Sequence, residues 1–306
     1  MTAQAQTHIP VLAKQTVSLL APTSGQTVLD CTLGLGGHAR LLAQCVGSTG
    51  LLVGLDLDSQ ALVMARETLR GVDPPVRLFQ ASFSELDAVL DEVGIDRVDV
   101  MLADLGVNST QLDMAGRGFS FTQDGPLDMR MNSEAPVTAA DLVNKMGEQE
   151  LANLIWTFGQ ERASRRIARR IVEARRERSI ATTGALVAVV CRALGVDPDN
   201  RRSRIHPATR TFQALRIAVN DEMASLDRLL TLAPGRLRTG GRIGIISFHS
   251  LEDRPVKLDF RMRKQQGIYE IVTPRPVVAD ERECRENPRS RSAKLRVAKR
   301  TEQPIK

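Results

Sequence analysis

Residues Val28 to His38 read V-L-D-C-T-L-G-L-G-G-H, an apolar run and a carboxylate followed by three glycines within four positions. The run is too short for a helix and carries β-branched Val and Thr at its ends, so it reads as a buried parallel strand whose carboxyl end opens into a tight loop. Gly34, Gly36 and Gly37 make that loop. Glycine accepts positive φ and lets a ligand lie against bare main chain, while the helix expected from about Ala39 presents unpaired N–H groups. The spacing is G-x-G-G, not the G-x-G-x-x-G of dinucleotide sites. A second apolar run, Leu51 to Leu55, ends at Asp56. In doubly wound folds an acid at the end of the second strand accepts hydrogen bonds from a ribose. A glycine-rich turn after a strand is common by itself; Asp56 in register makes this one a candidate nucleoside site.

The rest of the chain extends the same alternation. A helical pattern runs to Leu20, and Pro22 to Gly25 turn into the first strand. Helices are expected near Leu41–Val46, from Gln60 to Leu69 and from Ser84 to Val93, and further strands at Val76–Gln80 and Val98–Asp104. Phe83 then stands at a strand end, where its ring can lie against an adenine or simply belong to the core. The order βαβαβαβ, with acids ending strands one, two and four, implies a parallel sheet with its ligand site at the carboxyl edge. After Asp104 the character changes. Residues 105–113 read as a loop, and 117–130 as a polar, Gly-containing segment of the length that is usually functional. From Thr138 to about Leu194 the pattern is helical. A long helix is expected from His206 to near Leu232, closed by Pro234-Gly235. Gly240–Ser247 then reads as a fifth parallel strand that delivers Phe248-His249-Ser250 to the edge already holding Asp104. A helix from Glu252 and two last strands, Tyr269–Thr273 and Lys294–Ala298, complete a seven-stranded sheet whose final strand inserts as a hairpin. The domain reading is therefore a core in two parts, 1–112 and 207–306, with a helical insertion at 113–206.

Charge separates these regions. Residues 1–156 hold 9 Lys and Arg against 19 Asp and Glu; residues 157–306 hold 33 against 17. That asymmetry suggests a densely anionic partner for the second half, nucleic acid first among them. Within the insertion Arg162, Arg165, Arg166, Arg169 and Arg170 recur at helical steps opposite an apolar stripe of Ile167, Ile171 and Ala174. Such a ribbon suits phosphate neutralisation, although Glu161, Glu173 and Glu177 can turn part of it into a salt-bridged face. Aromatic content is only 3%, which argues against a chain of stacking platforms as the main means of holding a ligand. The four cysteines show no paired spacing, so neither a metal site nor a disulfide framework is expected. Met1 to Thr7 has no apolar stretch, and the longest apolar run, near Leu186–Cys191, is too short to span a bilayer. No membrane association and a cytoplasmic location are the expectations.

A nucleoside cofactor without a pyrophosphate suits the short glycine turn. The full dinucleotide fingerprint is missing and no Walker lysine follows the glycines, which disfavours hydride transfer and ATP chemistry. S-adenosyl-L-methionine meets the description.

Longer motifs sharpen this. His8-Ile9-Pro10-Val11-Leu12, Gly36-Gly37-His38, Asp104-Leu105-Gly106-Val107, Arg117–Phe121 with Asp124–Arg130, His206 to Asn220, and Ile246 to Arg254 together resemble the bacterial small-subunit ribosomal RNA cytosine-N4 methyltransferases, the RsmH (MraW) family. The resemblance runs from residue 8 to about 300. It implies a class I S-adenosylmethionine-dependent methyltransferase fold, Rossmann-like with a seven-stranded sheet and an inserted all-helical subdomain for RNA recognition. It further implies S-adenosyl-L-methionine as donor, 16S rRNA of the small ribosomal subunit as substrate, and N4-methylcytidine as product. Cofactor contacts are implied at Gly36, Gly37, His38, Asp56, Phe83, Asp104 and Gln111. Two departures stand out: Leu35 where Gly or Arg is usual, and Asn108-Ser109-Thr110 in place of Ser-Ser-Pro. The second bears on how that loop meets RNA. For the chemistry, Asp104 is the candidate that orients cofactor and amine, with His249 as a candidate proton acceptor or, equally, a structurally fixed imidazole. A homodimer is compatible with the sequence.

Overall fold

The computed structural model describes residues 9–197 and 206–304. The chain divides into two compact units, Met1–Gly106 with Met223–Lys306, and Val107–Glu222. His8 of the first motif and the polar stretch before it lie outside the described residues.

In the first unit the elements run α1 (Ala13–Leu20), β1 (Thr27–Asp30), α2 (Gly37–Val46), β2 (Leu51–Asp56), α3 (Ser59–Thr68), β3 (Val76–Gln80), α4 (Leu86–Val93) and β4 (Val98–Asp104). Five short helices and one more follow in the second unit: α5 (Ser109–Asp113), α6 (Ala139–Lys145), α7 (Glu148–Gly159), α8 (Ser164–Glu177), α9 (Thr183–Leu194) and α10 (Thr209–Val219). The chain then completes the first unit with α11 (Glu222–Arg236), β5 (Leu237–Ser247), α12 (Ser250–Gln265), β6 (Tyr269–Ile271), α13 (Glu281–Glu286) and β7 (Lys294–Arg300).

The seven strands form one sheet in the order β3-β2-β1-β4-β5-β7-β6. β1 to β5 pair in parallel, and β7 inserts antiparallel between β5 and β6, as the hairpin reading expects. Strand side chains alternate between faces, and each face has its own core. Leu29, Val53, Leu55, Met101, Ile243 and Ile245 pack with Leu86 and Leu90 of α4, Leu226 and Leu230 of α11, and Phe260 of α12. Val28, Leu52, Val100, Leu102 and Leu295 pack with Leu20 of α1, Leu42 and Val46 of α2, and Leu62 and Ala65 of α3. Burial on both faces is why β1, β2 and β4 read as unbroken apolar runs. The strand order reverses between β1 and β4, and β1, β2 and β4 all end in aspartate at that margin.

The second unit is all helical around Leu151, Ile155, Ile167, Ile171, Leu186, Val190, Phe212 and Leu215. Its limits differ from the 113–206 read in the sequence. Phe212, Ala214 and Leu215 of α10 belong to this core, with Val107 and Leu112 packed against it. An amphipathic stripe reads the same whichever core it faces, so sequence could not assign α10. The expected helix to Leu232 is two helices. The break falls at Asn220-Asp221, where Asp221 takes φ 48° and the Asn220 amide donates to Met129 O (2.8 Å) and Arg216 O (2.9 Å) while its Oδ1 accepts from Met131 N–H (2.7 Å). Pro234 lies inside α11, which runs on to Arg236.

Residues 105–113 are likewise not all loop. Asn108 and Gln111 cap α5 reciprocally, backbone to side chain in both directions, at 2.9 and 3.1 Å. The 117–130 segment is fastened rather than open. Arg130 forks onto Asp128 (2.8 and 2.7 Å) and donates to Ala135 O, and Arg117 donates to Arg130 O and Met131 O. Among the described residues no helix is long and apolar enough to cross a membrane.

Candidate functional site

The site begins with the bend after β1. Gly34 and Gly36 take φ 52° and 80°, left-handed values that cost a residue with a Cβ and cost glycine nothing. α2 starts at Gly37 rather than Ala39. Gly37 is glycine for another reason: a Cβ there would fall 2.7 Å from Cγ of Pro10. The Ile9–Leu12 segment thus lies against the first turn of α2. It is tied down by residues far away in sequence. Leu12, left-handed at φ 54° and fully buried, donates its N–H to Glu283 Oε1 (2.6 Å), and Asn287 donates to Ile9 O (3.0 Å).

The acids close the other side. Asp56 Oδ2 accepts the Gly34 N–H (2.7 Å) and Oδ1 the Asp58 N–H (2.8 Å), so the carboxylate both holds the bend and keeps lone pairs for a ligand hydroxyl. Burial pushes its pKa up to about 6, against the pull of those two N–H groups. Asp104 is fixed by its own N–H, which donates to Thr32 Oγ1 (2.5 Å), and its Oδ2 lies 3.7 Å from His38 Nε2. Asp104 Oδ1 is buried without a hydrogen-bond partner among the described residues, as is Asp30 Oδ2. Burial, with Asp30 and Glu252 nearby, drives the Asp104 carboxyl well above the usual carboxylate range. Asp30 rises to about 7, mainly by burial, with the Thr32 N–H lowering it and Asp56 raising it.

Three carboxyl groups at one sheet margin, two with an orphaned oxygen, are costly unless a cation or hydroxyl donors join them. A ligand with a ribose at one end and positive charge at the other satisfies both demands. Gly36, Gly37, His38, Asp56 and Asp104 are therefore brought to one edge of the first unit. Phe83 is two residues past Ala81, whose N–H donates to Asp56 O (3.1 Å). It opens a 3-10 turn, Phe83–Glu85, and is partly buried against the sheet core. His249 is the N-cap of α12, where Nδ1 accepts the Glu252 N–H (3.4 Å) and Nε2 lies 3.1 Å from Glu252 Oε1. The structure thus gives this imidazole a capping role.

The remaining site candidates belong to the second unit. Gln111, buried and engaged with Asn108, sits in α5. On α8 the ribbon is real but unequal. Arg169 lies 3.7 Å from Glu148 and Arg170 pairs with Glu173 (2.8 Å), while Arg162, Arg165 and Arg166 are exposed with no ion pair among the described residues. Arg175 instead turns in, donating to Val143 O (2.7 Å).

Sequence reasoning gave no site role to Asp30, Pro10, Thr32 or Glu283. Asp30 had a signal, being the acid at the end of the first strand. Pro10 stood in a noted motif without a role. Nothing local marks Glu283, whose partner is 271 residues away.

Comparison with known proteins finds relatives along nearly the whole chain. A protein of Acidobacterium capsulatum named ribosomal RNA small subunit methyltransferase H is 47% identical over 96% of this chain and 98% of its own length. Proteins of the same name from Geobacter sulfurreducens and Koribacter versatilis are 49% and 48% identical, over 96% of this chain and 98% and 94% of theirs. The sequence profile of the MraW methylase family matches residues 5–301. With that match over nearly its whole length, and with a glycine bend and acidic strand tips on a seven-stranded Rossmann-like sheet, the chain belongs to the MraW methylase family.

Proposed function

We propose that this protein transfers a methyl group from S-adenosyl-L-methionine to the exocyclic N4 amine of a cytidine in 16S ribosomal RNA of the small ribosomal subunit, in the cytoplasm. Full-length identity to proteins named for methylation of small-subunit ribosomal RNA carries the reading. The orphaned carboxyl oxygens and the bare-backbone bend fit the cofactor. In this reading Gly36, Gly37 and His38 line the bend, Asp56 receives the ribose, Phe83 adds a ring contact, and the carboxyls of Asp30 and Asp104 face the positive end. When bound, the cofactor supplies an electrophilic methyl group on a sulfonium sulfur.

A cytosine amine is a poor nucleophile because its lone pair is delocalised into the ring. Catalysis therefore rests on holding the nitrogen in line and accepting a hydrogen bond from its N–H as it pyramidalises. Asp104 takes that role in this reading, which its carboxyl oxygen without a hydrogen-bond partner among the described residues supports. His249, already held by Glu252, is the second candidate for the proton. A base reaches such a pocket only by leaving its stack, and the exposed arginines of α8 are the clamp on surrounding phosphates. Mass-spectrometric mapping of rRNA methyl groups in cells with and without the gene tests the assignment. Loss of one N4-methylcytidine is expected; an unchanged methylation map refutes it.

A further inference from the structure

The helical unit carries one exposed feature that the methyl-transfer chemistry does not use. Trp156, the only tryptophan of the chain, stands 57% exposed on α7. Its helix buries Leu151, Ala152, Leu154, Ile155 and Gly159, and Trp156 lies off that stripe, beside Gln149 and Asn153, which bond to each other in solvent. A chain with only 3% aromatic residues leaves its largest apolar side chain outside a core that could have used it.

The end of the helical unit to which it belongs is rich in exposed arginine. α7 and α8 pack together: Glu148 at the start of α7 lies 3.7 Å from Arg169 of α8, and residues 160–163 join Gly159 of α7 to Ser164 of α8. Trp156 is one turn before that junction, and Arg162, Arg165 and Arg166 are on and just past it. The start of α10 packs at the same end. Gln213 donates to Phe158 O (3.2 Å), and a Cβ on Gly159 would fall 2.5 Å from Arg210 O. Arg210 is exposed as well, and its Nη1 lies 3.8 Å from Glu161. Glu161, the acid of the junction, is already engaged by Arg210 and by the Ala163 N–H (2.9 Å). The same end of the helix pair therefore carries an exposed indole and, among the described residues, three exposed arginines, Arg162, Arg165 and Arg166, with no ion pair.

We infer that Trp156 is a stacking platform for an unpaired base of the RNA substrate, with Arg162, Arg165 and Arg166 holding the phosphates on either side. The inference rests on the reading of α8 as an RNA clamp. A polyanion that also offers flat apolar faces is single-stranded nucleic acid. A substrate whose target base has left its stack has neighbouring base faces to cover, and an indole covers one without regard to sequence.

The single tryptophan makes the test direct. Its intrinsic fluorescence is followed while a 12-nucleotide single-stranded RNA of mixed sequence is added, and binding is measured independently by anisotropy of the labelled RNA. Quenching is expected to saturate along the anisotropy curve. Trp156→Ala is expected to weaken binding about tenfold and Trp156→Phe much less, both with the wild-type salt slope, because the phosphate contacts remain. An exposed position lets both variants fold, which an unchanged thermal midpoint verifies. If RNA binds without quenching and Trp156→Ala binds normally while Arg165→Glu with Arg166→Glu weakens it, stacking is refuted and the clamp stands. If the arginine variants also bind normally, the clamp reading itself falls. If Trp156→Ala instead dissolves a dimer seen by sedimentation and leaves RNA affinity intact, the indole is a contact between two copies, and the inference is equally overturned.

Discussion

Replacing Asp30 with asparagine should make the protein more stable above neutral pH and worse at holding its cofactor. The wild-type carboxyl rises from 3.8 to about 7 on folding, chiefly because it is buried. The folded state thus holds this proton more tightly than the unfolded chain. That stability is fully present below pH 3.8 and is lost as pH rises through about 7. The shift of about 3 pH units corresponds to ~4 kcal/mol. Asparagine keeps the oxygen that accepts the Thr32 N–H (3.1 Å) and carries no charge. Its NH2 replaces the orphaned oxygen and costs ~1–2 kcal/mol if left unpaired. The net gain above pH 7 is then ~2–3 kcal/mol, on the order of 5 °C in unfolding midpoint for a unit of this size. Urea and thermal unfolding of both proteins from pH 4 to pH 9 should show curves that diverge with rising pH and run parallel beyond about 7. In calorimetry the variant should lose more affinity for S-adenosylmethionine than for its uncharged-sulfur product if, as proposed, the removed charge faces the sulfonium end. A stability gap independent of pH, or equal losses for the two ligands, would refute the view of this margin as a strained carboxyl set relieved by a cation.

Three further outcomes follow from the same geometry. Gly37→Ala puts a Cβ 2.7 Å from Pro10 Cγ, a rigid neighbour that must retreat by about 0.7 Å, at ~1–3 kcal/mol; cofactor Kd should rise at least severalfold, and wild-type affinity in calorimetry would show that the Pro10 segment does not shape the bend. Asp104→Asn should lower kcat by about 100-fold or more even at saturating cofactor, on top of a weaker hold on S-adenosylmethionine, whereas unchanged turnover at saturating cofactor in a methyl-transfer assay removes the role given to that carboxyl. Arg165→Glu, Arg166→Glu and Arg169→Glu together should weaken RNA binding and reduce the slope of log K against log salt by about 2, as expected for three lost contacts to single strands; cofactor affinity should not move, and an intact slope would dispose of the phosphate clamp.

The sequence by itself determined the sheet. Strands such as Leu51–Asp56 and Val98–Asp104 are buried on both faces, so their apolar runs and terminal acids were legible from composition alone, and β2 and β4 fall at the bounds read for them. The glycine bend was equally plain because positive φ selects glycine locally. What the sequence left open depends on partners distant in the chain. The apolar stripe of α10 does not say which core it joins. Asn220 breaks the expected long helix only because Met129 and Met131 offer it partners some 90 residues away. The 117–130 stretch looks like an open functional loop until Arg117 and Arg130 are seen fastening it from within. Gly37 answers to Pro10, and Leu12 to Glu283. Local propensity and periodicity are carried by each segment alone, whereas steric exclusion, hydrogen-bond partnership and the sharing of charge among Asp30, Asp56 and Asp104 exist only once the segments have met.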